Sequence, residues 1–582
     1  MNRSAFIAFI FDAGLPFPEG LTGARHALRR QHGLDDLLNT PGLLVLGDRG
    51  ASQTRFADGR GMVWGHLFER ASGNRTTELD PTTSGSAPDA MTSRYWGGYV
   101  LLRRRADAVE VMRDPSGMMA CYHAAIDSAH ILTSRPDLLI QLGLVRPSID
   151  WTIVAQGLVY RDIRPVRTAL HGISEVPPGC LLKIGAGSID LCCIWSPWTF
   201  ATQAEDNRDF DRAAASLGTV ATQTLRAWGS AFQRPLIEIS GGLDSAIVAA
   251  GLAGDKTEGR CLTFGPVPGD PDERPWARAI ATHLGYDLAE LELDTGVVDL
   301  TRSDAADLPR PCARLFSQAL DRPIRVLAEE TGADGFIGGA GGDSVFCLLQ
   351  SALPLIDRAQ IEGIGPGVLR TAIDVAQISQ SNAWRVLAAA LRCRLRPVGS
   401  FPRPMTNCFI SSEARQNLPW PQGNPWLEAA SDAPPGSRRH VWSIIGILNH
   451  LEGYGRETKA PHISPLMSQP ILEACLSVPS WLWCTGGRNR AVAREAFRDR
   501  LPAIVVDRRT KGAFNGLVTR LIDQHRALVR EMLLGGTLAR HSLLNKDAIA
   551  AALAGPLPTR DALSQLMALV DFEAWASGWS SR

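Results

Sequence analysis

Residues 237–245 read Ile-Glu-Ile-Ser-Gly-Gly-Leu-Asp-Ser, in which a short apolar strand runs through two glycines into a helix of small residues. Glycines at such a junction let backbone N–H groups approach a phosphate, and the helix N-terminus adds its positive end. The serine hydroxyls can donate hydrogen bonds, and the aspartate can hold Mg²⁺ that bridges phosphates. An ordinary tight turn is the alternative. The stretch predicts a nucleotide-phosphate loop made of Ser240, Gly241, Gly242, Leu243, Asp244 and Ser245.

The chain on both sides of this loop alternates strands with helices. Helical spacing at 211–228 and 244–253 flanks an apolar strand at 235–239, and the pattern repeats with a strand at 261–264 before a helix at 276–284. Such alternation is typical of a parallel α/β sheet. Long Ala-, Leu- and Arg-rich segments in the last third predict additional helices.

The first 200 residues have a different pattern of apolar and polar residues. Short apolar segments bounded by glycine or polar residues, such as 42–47 and 95–102, predict a sheet-rich region. The polar stretch 201–209 then reads as a linker. We therefore expect two domains, spanning 1–205 and 206–582.

The amino-acid composition indicates which classes of protein this chain can belong to. The 582 residues are 45% hydrophobic and carry 60 basic and 60 acidic side chains. The chain can bury real cores, and its balanced charge gives no sign of nucleic-acid or membrane binding. Eleven scattered cysteines without paired CxxC motifs suggest reduced thiols and a cytoplasmic location. The apolar run at 1–11 is too short to span a membrane and predicts a buried strand.

A second glycine-rich loop lies farther along the chain, within Gly335-Phe-Ile-Gly-Gly-Ala-Gly-Gly-Asp-Ser-Val-Phe346. In a parallel sheet both loops would lie at the same carboxyl edge, where Asp244 and Asp343 can share a metal ion. We expect Gly339 of this loop to contact the nucleotide. Phe264, at the end of a neighbouring strand, is expected to do the same.

Two later segments carry further candidates. Asp507-Arg-Arg-Thr-Lys-Gly512 places basic side chains in a loop, and an earlier segment contains Glu457 and His462. A fixed ammonium group can stabilise developing negative charge, and a carboxylate or imidazole can take a proton from an amine. From the residues alone, the basic loop can equally be a solvated surface. Glu457 can equally form a structural salt bridge, and His462 can be a packing residue.

The motif Ser240-Gly-Gly-Leu-Asp-Ser245 resembles the pyrophosphate loop of the N-type ATP pyrophosphatases, and its surroundings resemble the asparagine synthetase branch of that group. The resemblance implies ATP and Mg²⁺ as cofactors, with Asp244 and Asp343 on the metal. It also implies that Lys511 stabilises charge on pyrophosphate and on the tetrahedral intermediate. Arg508 is then a phosphate neighbour, and Glu457 orients or deprotonates the attacking amine.

Two positions depart from the family pattern. Ser344 stands where asparagine synthetases carry a glutamate, and Ala340 stands where the related β-lactam synthetases carry a tyrosine that helps to deprotonate the nucleophile. Neither change affects the proposed metal ligands. The second removes a candidate base.

The N-terminal region resembles the sheet sandwich of class II glutamine amidotransferases, with Asp114-Pro-Ser-Gly117 matching a turn of that fold. Active members begin with Met-Cys and use the cysteine as nucleophile. This chain has Asn2 there, and an amide cannot attack glutamine. Trp64 also replaces an asparagine that receives glutamine. The resemblance therefore implies an inactive glutaminase.

Without released ammonia, the nucleophile must arrive with the substrate. Segments 170–179 and 264–284 resemble those of the lasso peptide cyclases, which join a peptide's N-terminal amine to an internal Asp or Glu side chain. This resemblance implies an AMP-forming, ATP-dependent amide ligase whose partner is a precursor peptide. A leader peptidase and a leader-binding protein are further candidate partners. The alternatives are a β-lactam or asparagine synthetase-like ligase of a small substrate, and a non-catalytic scaffold.

Overall fold

A computed structural model of the chain contains two antiparallel sheets in its N-terminal part and one parallel sheet in its C-terminal part. The mixed α/β prediction is confirmed at this level, whereas the boundary at residue 205 stays a prediction. The structure describes residues 5–80, 89–126, 129–160, 163–185, 187–206, 208–254, 258–267, 270–395, 408–416, 418–427, 433–509, 515–555 and 559–580.

Thirteen strands build the two N-terminal sheets in this part of the described chain. They are β1 (Phe6–Ile10), β2 (Asp35–Thr40), β3 (Leu43–Gly47), β4 (Gln53–Phe56), β5 (Gly61–Glu69), β6 (Glu78–Leu79), β7 (Tyr95–Arg104), β8 (Ala108–Arg113), β9 (Tyr122–Ile126), β10 (Ala129–Thr133), β11 (Ser174–Glu175), β12 (Cys180–Gly185) and β13 (Ser188–Cys193). One sheet has the order β11-β9-β10-β1-β3-β2, and the other has the order β13-β12-β8-β7-β5-β4-β6. The predicted buried first strand is confirmed, because every residue of β1 is buried.

Apolar side chains from both sheets share one core. Trp64 of β5 is buried there, with its ring centroid 5.9 Å from that of Phe6 in β1. Trp64 therefore fills space between the two sheets. Asn2 lies outside the described residues. The helices of this part are α1 (Glu19–Gln31), α2 (Asp89–Arg94), α3 (Pro136–Gln141), α4 (Trp151–Val159) and α5 (Pro197–Thr202).

The predicted linker is more ordered than its polar composition suggests. Helix α5 ends at Thr202 and is followed by a 3-10 turn, Gln203–Asp206. Trp198 is buried, and its indole N–H donates to the carbonyl oxygen of Trp426 at 3.0 Å. Burial of this large side chain holds the segment against the C-terminal part.

Five parallel strands form the C-terminal sheet, in the order β16-β15-β14-β17-β18. They are β14 (Pro235–Glu238), β15 (Arg260–Phe264), β16 (Leu288–Leu291), β17 (Gly335–Ile337) and β18 (His462–Ile463). Both glycine-rich loops leave adjacent central strands, β14 and β17, at their carboxyl ends. Ligands bind at this edge of an open parallel sheet, between strands whose loops diverge.

Helices cover this sheet and make up most of the last third, as predicted. They are α6 (Phe210–Gly229), α7 (Leu243–Leu252), α8 (Arg274–Leu284), α9 (Gln318–Thr331), α10 (Gly342–Val345), α11 (Leu353–Ile361), α12 (Pro366–Ile378), α13 (Ala383–Leu395), α14 (Ser412–Gln416), α15 (Pro435–Ile447), α16 (Gln469–Leu476), α17 (Ala491–Ala496), α18 (Ala503–Val506), α19 (Asn515–Gln524), α20 (Arg526–Gly535), α21 (Thr537–Arg540), α22 (Lys546–Ala554) and α23 (Arg560–Ser580). Among the helices that the structure describes, none combines the length and apolar character needed to cross a membrane.

A buried charged network joins the two parts of the chain. Glu175 of β11 accepts hydrogen bonds from Arg113 and Arg164, and Arg310 of the C-terminal part lies 3.0 Å away. Arg164 also donates to Glu452, whose carboxylate receives the Tyr122 hydroxyl at 2.9 Å. These guanidinium groups lower the pKa of Glu175 well below its usual range, against the opposing effect of burial. The network thus links the N-terminal sheets to the segment around Glu452.

Candidate active site

The predicted phosphate loop has the geometry of an anion-binding turn. Gly241 has a φ of +67°, which favours glycine, and Gly242 precedes the first residue of α7. The backbone N–H of Ser240 donates to the Ser245 hydroxyl oxygen at 3.2 Å, and the two hydroxyl oxygens are 3.4 Å apart. Both serines line the same cavity. Helix and hydroxyl groups therefore offer hydrogen-bond donors to a phosphate.

The second glycine-rich loop packs directly against the first. A Cβ atom added at Gly339 would lie 2.6 Å from the backbone nitrogen of Ser245. One added at Gly342 would lie 2.4 Å from the Cβ of Asp244. Only glycine permits this close approach, which brings Asp343 into the neighbourhood of Asp244.

Asp244 and Asp343 meet at one arginine, Arg490, that no sequence motif indicates. Nη1 of Arg490 lies 2.8 Å from Asp244 Oδ1 and 2.6 Å from Asp343 Oδ1. Arg490 is 5% exposed and has a φ of +54°, unusual for a residue with a side chain. The backbone conformation directs this guanidinium into the position where the two carboxylates converge.

The convergence of two carboxylates fits a bound Mg²⁺. Mg²⁺ is commonly held by one or two carboxylates together with substrate phosphates. Among the described residues, no three or more His, Cys, Asp or Glu side chains are grouped to hold a metal unaided. Asp343 has a 46% exposed side chain, so it presents oxygen to the cavity, whereas Asp244 is buried. These two carboxylates suit a cation that binds together with the phosphates of a nucleotide.

A cavity of about 800 Å³ opens at this edge of the sheet. Its volume lies within the usual range for small-molecule sites. Seven of the candidate residues line it, namely Ser240, Asp244, Ser245, Phe264, Gly339, Asp343 and His462. The cavity extends to α19 and α23, where Val518 and Leu563 form part of its wall.

Arg508 supports the phosphate loop from outside the cavity. Its Nη1 donates to the carbonyl oxygen of Gly241 at 2.9 Å, and its Nη2 donates to Glu273 at 2.6 Å. The guanidinium also lies 4.1 Å from the ring centroid of Trp276. In this structure Arg508 therefore fixes the loop rather than facing the cavity. Lys511, the predicted key cation, lies outside the described residues.

The other residues that were predicted to bind the nucleotide or to act in catalysis lie in the backbone of the loop or away from the cavity. Gly242 accepts a backbone hydrogen bond from Ala246 at 3.2 Å, and Leu243 is buried at the start of α7. Glu457 lies in a 3-10 turn, Gly455–Thr458, and is not among the residues that line the cavity. Its neighbour Arg456 lines the cavity instead. The geometry does not bring Glu457 together with the phosphate loop.

We expect Gly339→Ala to weaken ATP binding and to destabilise the fold. The new methyl group would press on the Ser245 backbone, and overpacking of this kind costs about 1–3 kcal/mol. Calorimetric titration with ATP and urea denaturation would measure the two effects. Gly23→Ala in α1 is the matched control, because no heavy atom lies within 4 Å of its added Cβ. Wild-type ATP affinity in Gly339→Ala would contradict the close packing of the loops.

Comparison with protein families adds a match that covers the parallel sheet. The family described as asparagine synthase matches residues 230–403 and 460–577, which together make up half of the chain. The chain belongs to the asparagine synthase family. This family is one of ATP-dependent amide ligases, and its match contains the phosphate loop, Asp343, Arg490 and Arg508. Glu457 falls between the two matched segments.

Likeness to solved structures is weak by comparison. A structure titled as the allosteric regulatory enzyme of purine biosynthesis is 12% identical, with a TM-score of 0.20, over 45% of this chain and 59% of its own. The glutamine phosphoribosylpyrophosphate amidotransferase from B. subtilis, with ADP and GMP, is 10% identical, with a TM-score of 0.20, over 58% and 76%. This member of the asparagine synthase family thus spans less than two thirds of the first structure. No curated protein matches its sequence.

Proposed function

We propose that this protein is a lasso peptide cyclase. In the proposed reaction, an Asp or Glu side chain of a precursor peptide attacks the α-phosphate of ATP, and pyrophosphate leaves. The N-terminal amine of the same peptide then attacks the acyl-adenylate, which forms the amide bond and releases AMP. The observation that supports the proposal is the convergence of Asp244 and Asp343 beside the phosphate loop, on the wall of one cavity.

Each element of the site has a part in the first step. The hydroxyl groups of Ser240 and Ser245 and the N-terminus of α7 bind phosphate oxygens. Arg508 holds the loop in shape through Gly241. Asp244 and Asp343 would hold Mg²⁺, and the cation would supply positive charge opposite the departing pyrophosphate. Arg490, which bonds to both carboxylates, holds them beside the phosphate loop.

The cavity also supports a substrate larger than a single amino acid. It runs from the phosphate loop to Val518 and Leu563 on the C-terminal helices. Holding an amine next to an activated carboxyl group can lower the barrier by ~7–11 kcal/mol. We propose that the amine arrives with the substrate rather than as ammonia released from glutamine. A peptide that carries both reacting groups meets these requirements, and a cytoplasmic location, where ATP is available, is part of the proposal.

A direct test uses the full chain, ATP, Mg²⁺ and a panel of synthetic linear peptides with a free N-terminus and one Asp or Glu side chain. We expect AMP, pyrophosphate and a peptide product that has lost one water, measured by mass spectrometry. The same peptides with an acetylated N-terminus should still give pyrophosphate but no ring. Activation of free aspartate or a small β-amino acid without any peptide product would instead favour a small-substrate ligase. Absence of pyrophosphate release with every substrate would favour the scaffold alternative.

A further inference from the structure

One of the carboxylates that line the cavity, Glu238, has no part in the proposed activation step. Seven acidic residues line the cavity, and six of them accept hydrogen bonds from the chain: Asp244, Asp270, Glu273, Asp321, Asp343 and Glu452. Glu238, at the carboxyl end of β14, is the seventh. Its Oε1 atom is buried and accepts no hydrogen bond within the described structure.

Two basic side chains lie next to the carboxylate of Glu238. Nη2 of Arg456 lies 3.0 Å from Glu238 Oε1, and Nε2 of His462 lies 3.7 Å from the same oxygen. The glutamate side chain is 27% exposed although Oε1 is buried, so its accessible surface belongs to its other atoms. Arg456 therefore pairs with one oxygen of the carboxylate, with His462 beside it, while the rest of the side chain forms part of the cavity wall.

The backbone leaves space for this arrangement. A Cβ atom added at Gly338 would lie 3.3 Å from His462 Nε2 and 3.5 Å from Glu238 Oε1. Glu238 and His462 thus face each other across a glycine, on β14 and β18, with β17 between them. Burial lowers the pKa of His462 well below its usual value, and the charge of Arg456 adds to this effect. A neutral imidazole beside the carboxylate leaves Arg456 as its only charged cationic neighbour among these three side chains.

Glu238 lies close in the chain to the phosphate loop, where the reacting carbonyl group would be activated. It precedes Ser240 by two residues at the end of β14, and both residues line the cavity. A carboxyl group activated on the α-phosphate beside Ser240 would lie next to Glu238. In contrast, Glu457 is not part of the cavity wall, and residue 340 is an alanine with no proton-accepting group.

We infer that Glu238 is the catalytic base that receives the proton of the incoming amine, and that Arg456 and His462 are its positioning residues. This inference rests on the proposed function. The amine nitrogen forms a bond to the carbonyl carbon, and the bond from that carbon to the phosphate oxygen breaks. AMP leaves with the electron pair, and the surplus proton of the nitrogen passes to the Glu238 carboxylate. The ligand class assigned to this side of the cavity is therefore a primary amine.

The experiment separates the two halves of the reaction in Glu238→Gln. ATP–pyrophosphate exchange, driven by the acetylated peptides, reports activation, and ring formation from the free peptides reports transfer. Loss of general base catalysis typically costs 10²–10⁴-fold, so we expect ring formation to fall about 100-fold or more. Exchange should stay within about threefold of wild type, because the phosphate loop is unchanged. Glu238→Asp should retain more ring formation than Glu238→Gln.

Hydroxylamine provides a further measurement, because this weakly basic nucleophile reacts with activated carboxyl groups without a strong base. Hydroxamate formation should therefore proceed in Glu238→Gln at nearly the wild-type rate. Glu258→Gln is the matched control, since Glu258 is exposed and lies before β15 at the opposite end of the sheet.

Two outcomes would overturn the inference. Wild-type ring formation in Glu238→Gln would show that another group takes the proton. An equal loss of exchange and ring formation would place Glu238 in activation or in folding. Failure of the wild-type protein to catalyse exchange or ring formation would instead count against the proposed function itself, so the two failures remain distinguishable.

Discussion

We expect Asp244→Asn to lower ATP–pyrophosphate exchange by on the order of 10³-fold, which corresponds to about 4 kcal/mol of transition-state stabilisation. The amide has nearly the size of the carboxylate but lacks the negative charge that attracts a cation. Asp343→Asn should have a similar effect, because both carboxylates converge on the same point. Exchange rates measured over a range of Mg²⁺ concentrations would check this, with a higher Mg²⁺ requirement expected in both variants.

The control for this pair is Asp287→Asn. Asp287 is exposed and lies just before β16, at the amino end of the strand, so it should not affect exchange. Circular dichroism would show that each variant retains its secondary structure. Unchanged exchange in Asp244→Asn would remove the phosphate loop from the proposed reaction.

The second large effect concerns stability. We expect Glu175→Gln to lower the free energy of unfolding by about 3–5 kcal/mol, because removing one partner of a buried ion pair leaves uncompensated charge. The substitution would leave Arg113, Arg164 and Arg310 with less negative charge in a region where their side chains are at most 8% exposed. Urea denaturation monitored by tryptophan fluorescence and by circular dichroism would measure the loss.

Glu495→Gln provides the comparison for an exposed ion pair. Glu495 pairs with Arg498 on the surface, with side chains 33% and 47% exposed, and such pairs contribute about 0–1 kcal/mol. Since the pKa of Glu175 is lowered in the folded state, its contribution is present above its unfolded pKa and is lost as the pH falls through the folded one. A loss below about 1 kcal/mol in Glu175→Gln would show that water or rearrangement compensates the buried charges.

The local part of the site could be predicted from the sequence. Residues 237–245 contain a strand, two glycines and the start of a small-residue helix in direct succession. The hydrophobic spacing and the glycines of this stretch are therefore enough to predict the phosphate loop. The second loop follows the same pattern, and parallel strands bring both loops to one edge. The helical last third and the buried first strand also follow from residue spacing.

Long-range partners could not be predicted in this way. Arg490 is 246 residues from Asp244 in the chain. No local sequence pattern predicts that this residue, which is not glycine, adopts a left-handed backbone conformation. Glu238 lies in an apolar strand, where sequence alone gives no indication that its carboxylate reaches a cavity. The contact of Trp198, just before the predicted linker 201–209, with Trp426 could not be predicted either, because the two residues are 228 positions apart.

The charged network limits how the chain can be divided or recombined. A C-terminal fragment cut near residue 205 would contain Arg310 and Glu452 but would lack Glu175 and Arg164. Chimeras that exchange N-terminal parts between relatives must therefore transfer these ionic partners as a set. Complementation by separately expressed halves would depend on rebuilding the same contacts at their junction.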